Sequence, residues 1–246
     1  MNSKLNANHL KLIAILAMTI DHIADLVFPG FPPQVLPFIL HMIGRITAPV
    51  MWFFVCEGFY YTRNVKKYML RMGIFAVISH FAYCFAFGIN MIPFRDGIFN
   101  QTSVIWPLFW AVVALWVFDA NNSIPQWLKW IILIGINIIT FPSDWSCIAV
   151  MAIVFMYEHR DNLKKQMYVM FFWVAVYAVV SYFCASKGYA LAQLGVILVY
   201  PILKQYNGKP GSAKWMKWFF YIFYPAHLIL VGILRLTVYG NIPLLF

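Results

Sequence analysis

The residues of this chain whose types and spacing suit chemistry lie inside apolar runs. Asp21, His22 and Asp25 interrupt a run of about 19 residues, 10–28. His22 and Asp25 are three apart and share one face of a helix, while Asp21 points roughly 100° away. Arg45 lies deep in a second run, 35–61, and Glu57 lies near its far end. His227 lies in a last run, 215–237, just after Tyr224 and Pro225. An imidazole beside carboxylates is equipment for general acid–base catalysis, and a guanidinium can hold a developing oxyanion. Ionisable groups at membrane depth are costly, so they mark pathways and sites. His22 is therefore the expected base, with Asp21 or Asp25 orienting its ring; a histidine satisfied by a helix carbonyl is the plainer alternative. Arg45 either steadies a carbonyl oxygen or serves as the structural counter-ion of Asp21. His227 is either a second proton carrier or a cap for the backbone that Pro225 breaks.

The elements that position these groups follow from composition. The chain has 246 residues, of which 63% are hydrophobic and 11% charged. A soluble domain is about one-quarter charged, so this is an integral membrane protein. Apolar runs between charged or Pro/Gly/Asn-rich breaks predict an all-α, polytopic fold with about nine transmembrane helices in a single domain, 1–246. The spans fall near 10–28, 35–61, 68–90, 103–119, 126–141, 145–158, 167–185, 190–203 and 215–237. The fifth, sixth and eighth are short, as re-entrant or broken helices are. The first run is too long for a signal-peptide core and reads as a retained span.

The net charge of +10 would suggest nucleic acid in a soluble protein. Here it reads as orientation signalling, with the lipid bilayer as the partner and no nucleic acid. With the N-terminus cytoplasmic, Lys4, Lys11, Arg63, Lys66, Lys67, Arg71, Lys129, Arg160, Lys164, Lys165, Lys204, Lys209, Lys214 and Lys217 all fall inside. Arg95 and Lys187 alone fall in outer loops, the longest of which also carries Asp96, Asn100 and Gln101.

Depth along antiparallel spans places Asp21 and Arg45 near one level, so an ion pair between them is expected. Pro49 removes a backbone hydrogen bond and is expected to kink the second span, and Gly44 permits close helix approach. Glu57 is placed to pair with Arg63 or Arg71. His41 and Ser79–His80 read as packing or pore-lining groups. Cys56, Cys84, Cys147 and Cys184 form no C-x-x-C pair and read as reduced structural thiols. Neither a glycine-rich phosphate loop nor a metal-ligand spacing is present, so no metal is expected.

Three blocks carry a resemblance. They are IAILAMTIDHI (13–23), IGRITAPVMWFFVCEGFYYTRNVKKYMLR (43–71) and YIFYPAHLIL (221–230). Asp21-His22, Gly44-Arg45, Pro49, Glu57-Gly58-Phe59, Thr62, Tyr68 and Tyr224-Pro225-x-His227 make the chain resemble the TraX family. The chain departs from that pattern at Asp25 and His41. The family is known for acetylating the N-terminus of conjugative pilin and is related to multi-spanning acyltransferases that use cytosolic acyl-CoA. The resemblance implies an acetyl-CoA-dependent O- or N-acetyltransferase in a bacterial plasma (inner) membrane, acting on an unnamed hydroxyl or amine acceptor. His22, Asp21, Asp25, Arg45 and His227 would then be catalytic. Glu57, Thr62, Arg63, Lys67, Arg71 and Tyr224 would contact acetyl-CoA, and homo-oligomers are allowed. A proton-coupled small-molecule transporter using the same midplane charges is the alternative reading.

Overall fold

The computed structural model describes residues 4–30, 32, 34–92, 95, 97–213 and 215–240. Asp96 and Lys214, which the sequence places in loops, lie outside the described residues. The fold is all-α. In chain order the helices are α1 (Ala7–Val27), α2 (Val35–Gly44), α3 (Thr47–Tyr61), α4 (Val65–Phe87), α5 (Ile105–Phe118), α6 (Gln126–Thr140), α7 (Ile148–Glu158) and α8 (Leu163–Cys184). There follow α9 (Lys187–Ala192), a 3-10 turn (Gln193–Leu198), α10 (Val199–Leu203) and α11 (Met216–Tyr239).

Local chemistry sets these limits. Asn6, Asn64, Asn162 and Ser186 cap α1, α4, α8 and α9, each accepting a hydrogen bond from the amide three residues on. Gly88, in the left-handed region at φ 65°, closes α4. Pro37, Pro49 and Pro107 each stand third in their helix, where an amide has no intrahelical partner to lose.

Each of the nine apolar runs is one helix or a composite of short ones. The run 35–61 is one candidate span, Val35–Tyr61, with an interruption near the expected kink. It breaks at Arg45–Ile46, one turn before Pro49. The physical reason lies in Pro49 itself: it offers no amide to the Arg45 carbonyl, and its ring collides with that group. The run 190–203 is likewise a composite of helix, 3-10 turn and helix.

Among the described residues, four segments are long and apolar enough to cross a bilayer: Val35–Tyr61, Val65–Phe87, Leu163–Cys184 and Trp218–Tyr239. Large apolar side chains lie exposed along α6, α8 and α11, among them Ile134, Ile138, Phe172, Phe183, Ile222 and Leu230. Exposed Trp127 and Trp130 open α6, and Trp215 and Trp218 flank the start of α11. An apolar exterior with tryptophan at helix ends is what a lipid environment selects.

The chain divides into two compact units. The first comprises Met1–Phe54 and His159–Phe220. Within it α1 packs on α2, α2 on the 3-10 turn, and α8 on α9. The pairs Ala14–Thr47 and Asp21–His41 show that α1 runs antiparallel to the stretch that follows it. Gly195 lies so close to the Met42 carbonyl that a Cβ there would collide with it. The start of the chain is stitched to a late loop. Leu5 N donates to Gln205 O (3.0 Å), Asn207 N to Leu5 O (2.9 Å) and Ala7 N to Lys209 O (2.9 Å).

The second unit comprises Val55–Glu158 and Tyr221–Phe246. In it α5 is the central helix, against α4, α6 and α7. The turn 141–147 carries Trp145 and Ser146 at positive φ (64° and 50°). It is pinned to the strand-like stretch before α5 by Asp144 N donating to Thr102 O (2.8 Å).

Candidate functional site

The first unit holds a buried ionic centre. The turn between α1 and α2 folds the chain back so that Asp21 meets the end of α2. His41 Nδ1 lies 2.7 Å from Asp21 Oδ1. Arg45 Nη1 lies 3.6 Å from Asp21 Oδ2, an ion pair longer than a hydrogen bond. His41 is only 4% exposed and Arg45 only 7%. The expected Asp21–Arg45 pair is present, and it has a third member. A carboxylate beside Nδ1 makes that nitrogen the donor of the neutral ring, which leaves the lone pair on Nε2. Gly44 makes the approach possible: the Asp21 side chain occupies the space that a Cβ at position 44 would need.

On its other side Arg45 meets Tyr189. The guanidinium carbon stands 4.9 Å from the ring centroid. Tyr189 Oη is 3.1 Å from Tyr177 Oη of α8. His22 and Asp25 are half-buried on α1. Asp21, one of the two carboxylates expected to orient the His22 ring, bonds His41 through Oδ1.

The second unit gathers the remaining predicted residues. His227 is buried, with Nδ1 3.0 Å from Phe223 O and its ring stacked on Phe223 at 5.2 Å. That carbonyl is not the one Pro225 leaves without an amide, which belongs to Tyr221. Tyr224 is buried and packs at 5.4 Å from His227. The same unit holds further polar groups: His80 bonds Thr102 Oγ1 (2.9 Å) and Met91 O (2.9 Å), while Ser79, Ser103 and Ser143 are buried.

At the corner between α3 and α4, Thr62 Oγ1 donates to Asn64 O (3.4 Å). Arg63, Lys66 and Lys67 are exposed around the first turn of α4. Glu57 is half-buried, and the Arg71 guanidinium lies 5.8 Å from the Tyr68 ring. Helix N-termini ringed by cations suit phosphate. Asp21, His22, Asp25 and Arg45 thus belong to the first unit. Glu57, Thr62, Arg63, Lys67, Arg71, Tyr224 and His227 belong to the second.

Sequence reasoning gave His41 only a packing or pore-lining role and passed over Tyr189, Thr102 and Ser103. One signal was available for His41, which stands four residues before Arg45 and so on the same helix face. Among the described residues no group of three or more His, Cys, Asp or Glu side chains is placed to hold a metal ion.

Comparison with known proteins covers nearly the whole chain. A family model described as TraX protein matches residues 6–235. A protein of Dichelobacter nodosus, named "Probable fimbrial assembly protein FimC, serogroup H1", is 28% identical over 249 residues, covering 94% of this chain and 96% of that one. No solved structure matches the chain.

Proposed function

This chain belongs to the TraX family, and on that footing we propose that it is a membrane acetyltransferase. It would move an acetyl group from cytosolic acetyl-CoA to a hydroxyl or amine acceptor. The observation that carries this reading is the buried Asp21–His41–Arg45 centre inside an apolar chain. A carboxylate and a guanidinium packed together inside so apolar a chain are costly and call for a role.

Acyl transfer needs a base and an electrostatic partner for the oxyanion. Two histidines compete for the first role. His22 is the ring that the family motif points to. His41 has the better-defined geometry, since Asp21 holds its Nδ1 and directs Nε2 to accept a proton. We assign His41 as the base and keep His22 as its rival. The base takes the acceptor proton as oxygen or nitrogen attacks the thioester carbonyl. Arg45 stabilises the negative charge on the carbonyl oxygen. Collapse of the tetrahedral intermediate expels the coenzyme thiolate, which takes up the proton, and leaves the acetylated acceptor. Arg63, Lys67 and Arg71, with Thr62 and Glu57 nearby, are the proposed contacts for the coenzyme phosphates. His227 and Tyr224, in the second unit, are proposed as acceptor-handling groups.

The relative's name concerns fimbrial assembly, which favours a protein subunit as acceptor over a glycan or small molecule. The proposed setting is a bacterial inner membrane, with about nine helices and a cytoplasmic N-terminus. The deciding experiment is acetyl transfer from labelled acetyl-CoA by the purified protein in detergent. Transfer that is lost in His41→Ala with the fold intact supports the assignment. Failure to bind acetyl-CoA, together with a proton-driven flux in vesicles, would establish a transporter instead.

A further inference from the structure

Resting on the reading of Arg45 as the cation that meets the oxyanion, we propose that Tyr189 is a positioning residue whose ring face sets the plane of the Arg45 guanidinium.

Arg45 stands where its helix stops. Residues 45 and 46 form the break between α2 and α3, so the side chain leaves a turn and not a helix flank. Its contact to Asp21 is 3.6 Å, which attracts but does not orient. An arginine side chain has many rotamers to lose, and an ion pair at that distance does not select among them. The ring of Tyr189, 4.9 Å from the guanidinium carbon, is within cation–π range and restricts that freedom.

Tyr189 is itself fixed at three points. Its amide donates to Ser186 Oγ at 3.1 Å, its carbonyl accepts from Gln193 Nε2 at 3.1 Å, and its hydroxyl meets Tyr177 Oη at 3.1 Å. The segment that carries it is held against α2 by the Gly195–Met42 approach, three residues before Arg45. The composite stretch 187–203 is thereby a rigid arm that presents one aromatic face to one guanidinium. This gives the broken eighth run a purpose.

A preorganised donor lowers the barrier without tightening the ground state, so the effect belongs in kcat. Tyr189→Leu is expected to lower kcat about 10- to 30-fold with the KM for acetyl-CoA within about twofold. Tyr189→Phe keeps the face and loses only the Tyr177 tether, so its loss is about threefold; Tyr189→Trp restores most of the rate. Equal damage from Phe and Leu, or a harmless Leu, would overturn the proposal, because packing alone would then explain the residue. A second readout needs no turnover. Phenylglyoxal modification of Arg45, located by mass spectrometry, should be several-fold faster in Tyr189→Leu than in wild type and unchanged in Tyr189→Phe. Identical rates in all three sink the stacking argument even in an active enzyme. The expected pattern in a protein that transfers no acetyl group would retain the stack and remove the proposed reaction.

Discussion

The side chain of Asp21 fills the room that a β-carbon on Gly44 would require. Glycine at this position is therefore a property of the ionic centre, beyond any general licence for helices to approach. Gly44→Ala must push the carboxylate away from His41 and Arg45 or separate α1 from α2. We expect a protein that still folds in detergent, by circular dichroism and size exclusion, but whose kcat falls at least about 100-fold. Wild-type turnover in Gly44→Ala would show that the carboxylate has no positional task.

The two histidines near Asp21 separate by substitution. His41→Ala is expected to cost about 100- to 10,000-fold in kcat, whereas His22→Ala costs less than about tenfold. Asp21→Asn should fall in the same range as His41→Ala, since an amide can hold the ring in the wrong tautomer. The double variant should be no worse than either single one, as groups acting as a unit are not additive. Turnover of the three single variants and of the His41→Ala, Asp21→Asn double variant settles which ring is the base, and the reverse ranking would return the role to His22.

Tyr224 offers a test of stability. Its ring is buried between Phe75 and His227. Tyr224→Ala removes that packing and should cost about 3–5 kcal/mol. Chemical denaturation in detergent, compared with an exposed control such as Tyr168→Ala, measures it. No difference between the two would mean that burial of the ring adds nothing to stability.

The cations at the start of α4 bear on coenzyme affinity. Arg63→Glu combined with Lys67→Glu should raise the KM for acetyl-CoA about tenfold at low salt and leave kcat nearly unchanged. The penalty should shrink as salt rises, because both side chains are exposed. Titrating acetyl-CoA at two ionic strengths checks both parts, and a salt-independent effect would argue for a structural role.

Apolarity located the helices within a few residues, because each run must satisfy its own backbone hydrogen bonds in lipid. It could not locate the gap at residues 45–46. Hydropathy does not register whether a carbonyl has an amide to bond, and Pro49 acts one turn upstream of itself. The Asp21–Arg45 pair was legible, since matched depth on neighbouring antiparallel spans is arithmetic. His41 was not, because its partner lies 20 residues away and a lone histidine in an apolar run reads as packing. Tyr189 was further from reach still: its meeting with Arg45 depends on a 3-10 turn and on Gly195, neither of which has a periodic signature. Ser103 and Thr102 escaped notice for a simpler reason, since small hydroxyl residues among apolar ones do not stand out.

The seam between Leu5 and residues 205–209 has a bearing on biosynthesis. A ribosome releases the opening helices long before it makes the loop that tethers them. The carboxylate on α1 and the arginine after α2 must therefore wait in the membrane, or in the insertion machinery, until more than two hundred residues have been translated. A nascent chain arrested after α7 would contain both ionic partners yet lack the aromatic arm and the stitching loop, so the unit that holds Asp21 and Arg45 stays incomplete until late although its first helix is born first.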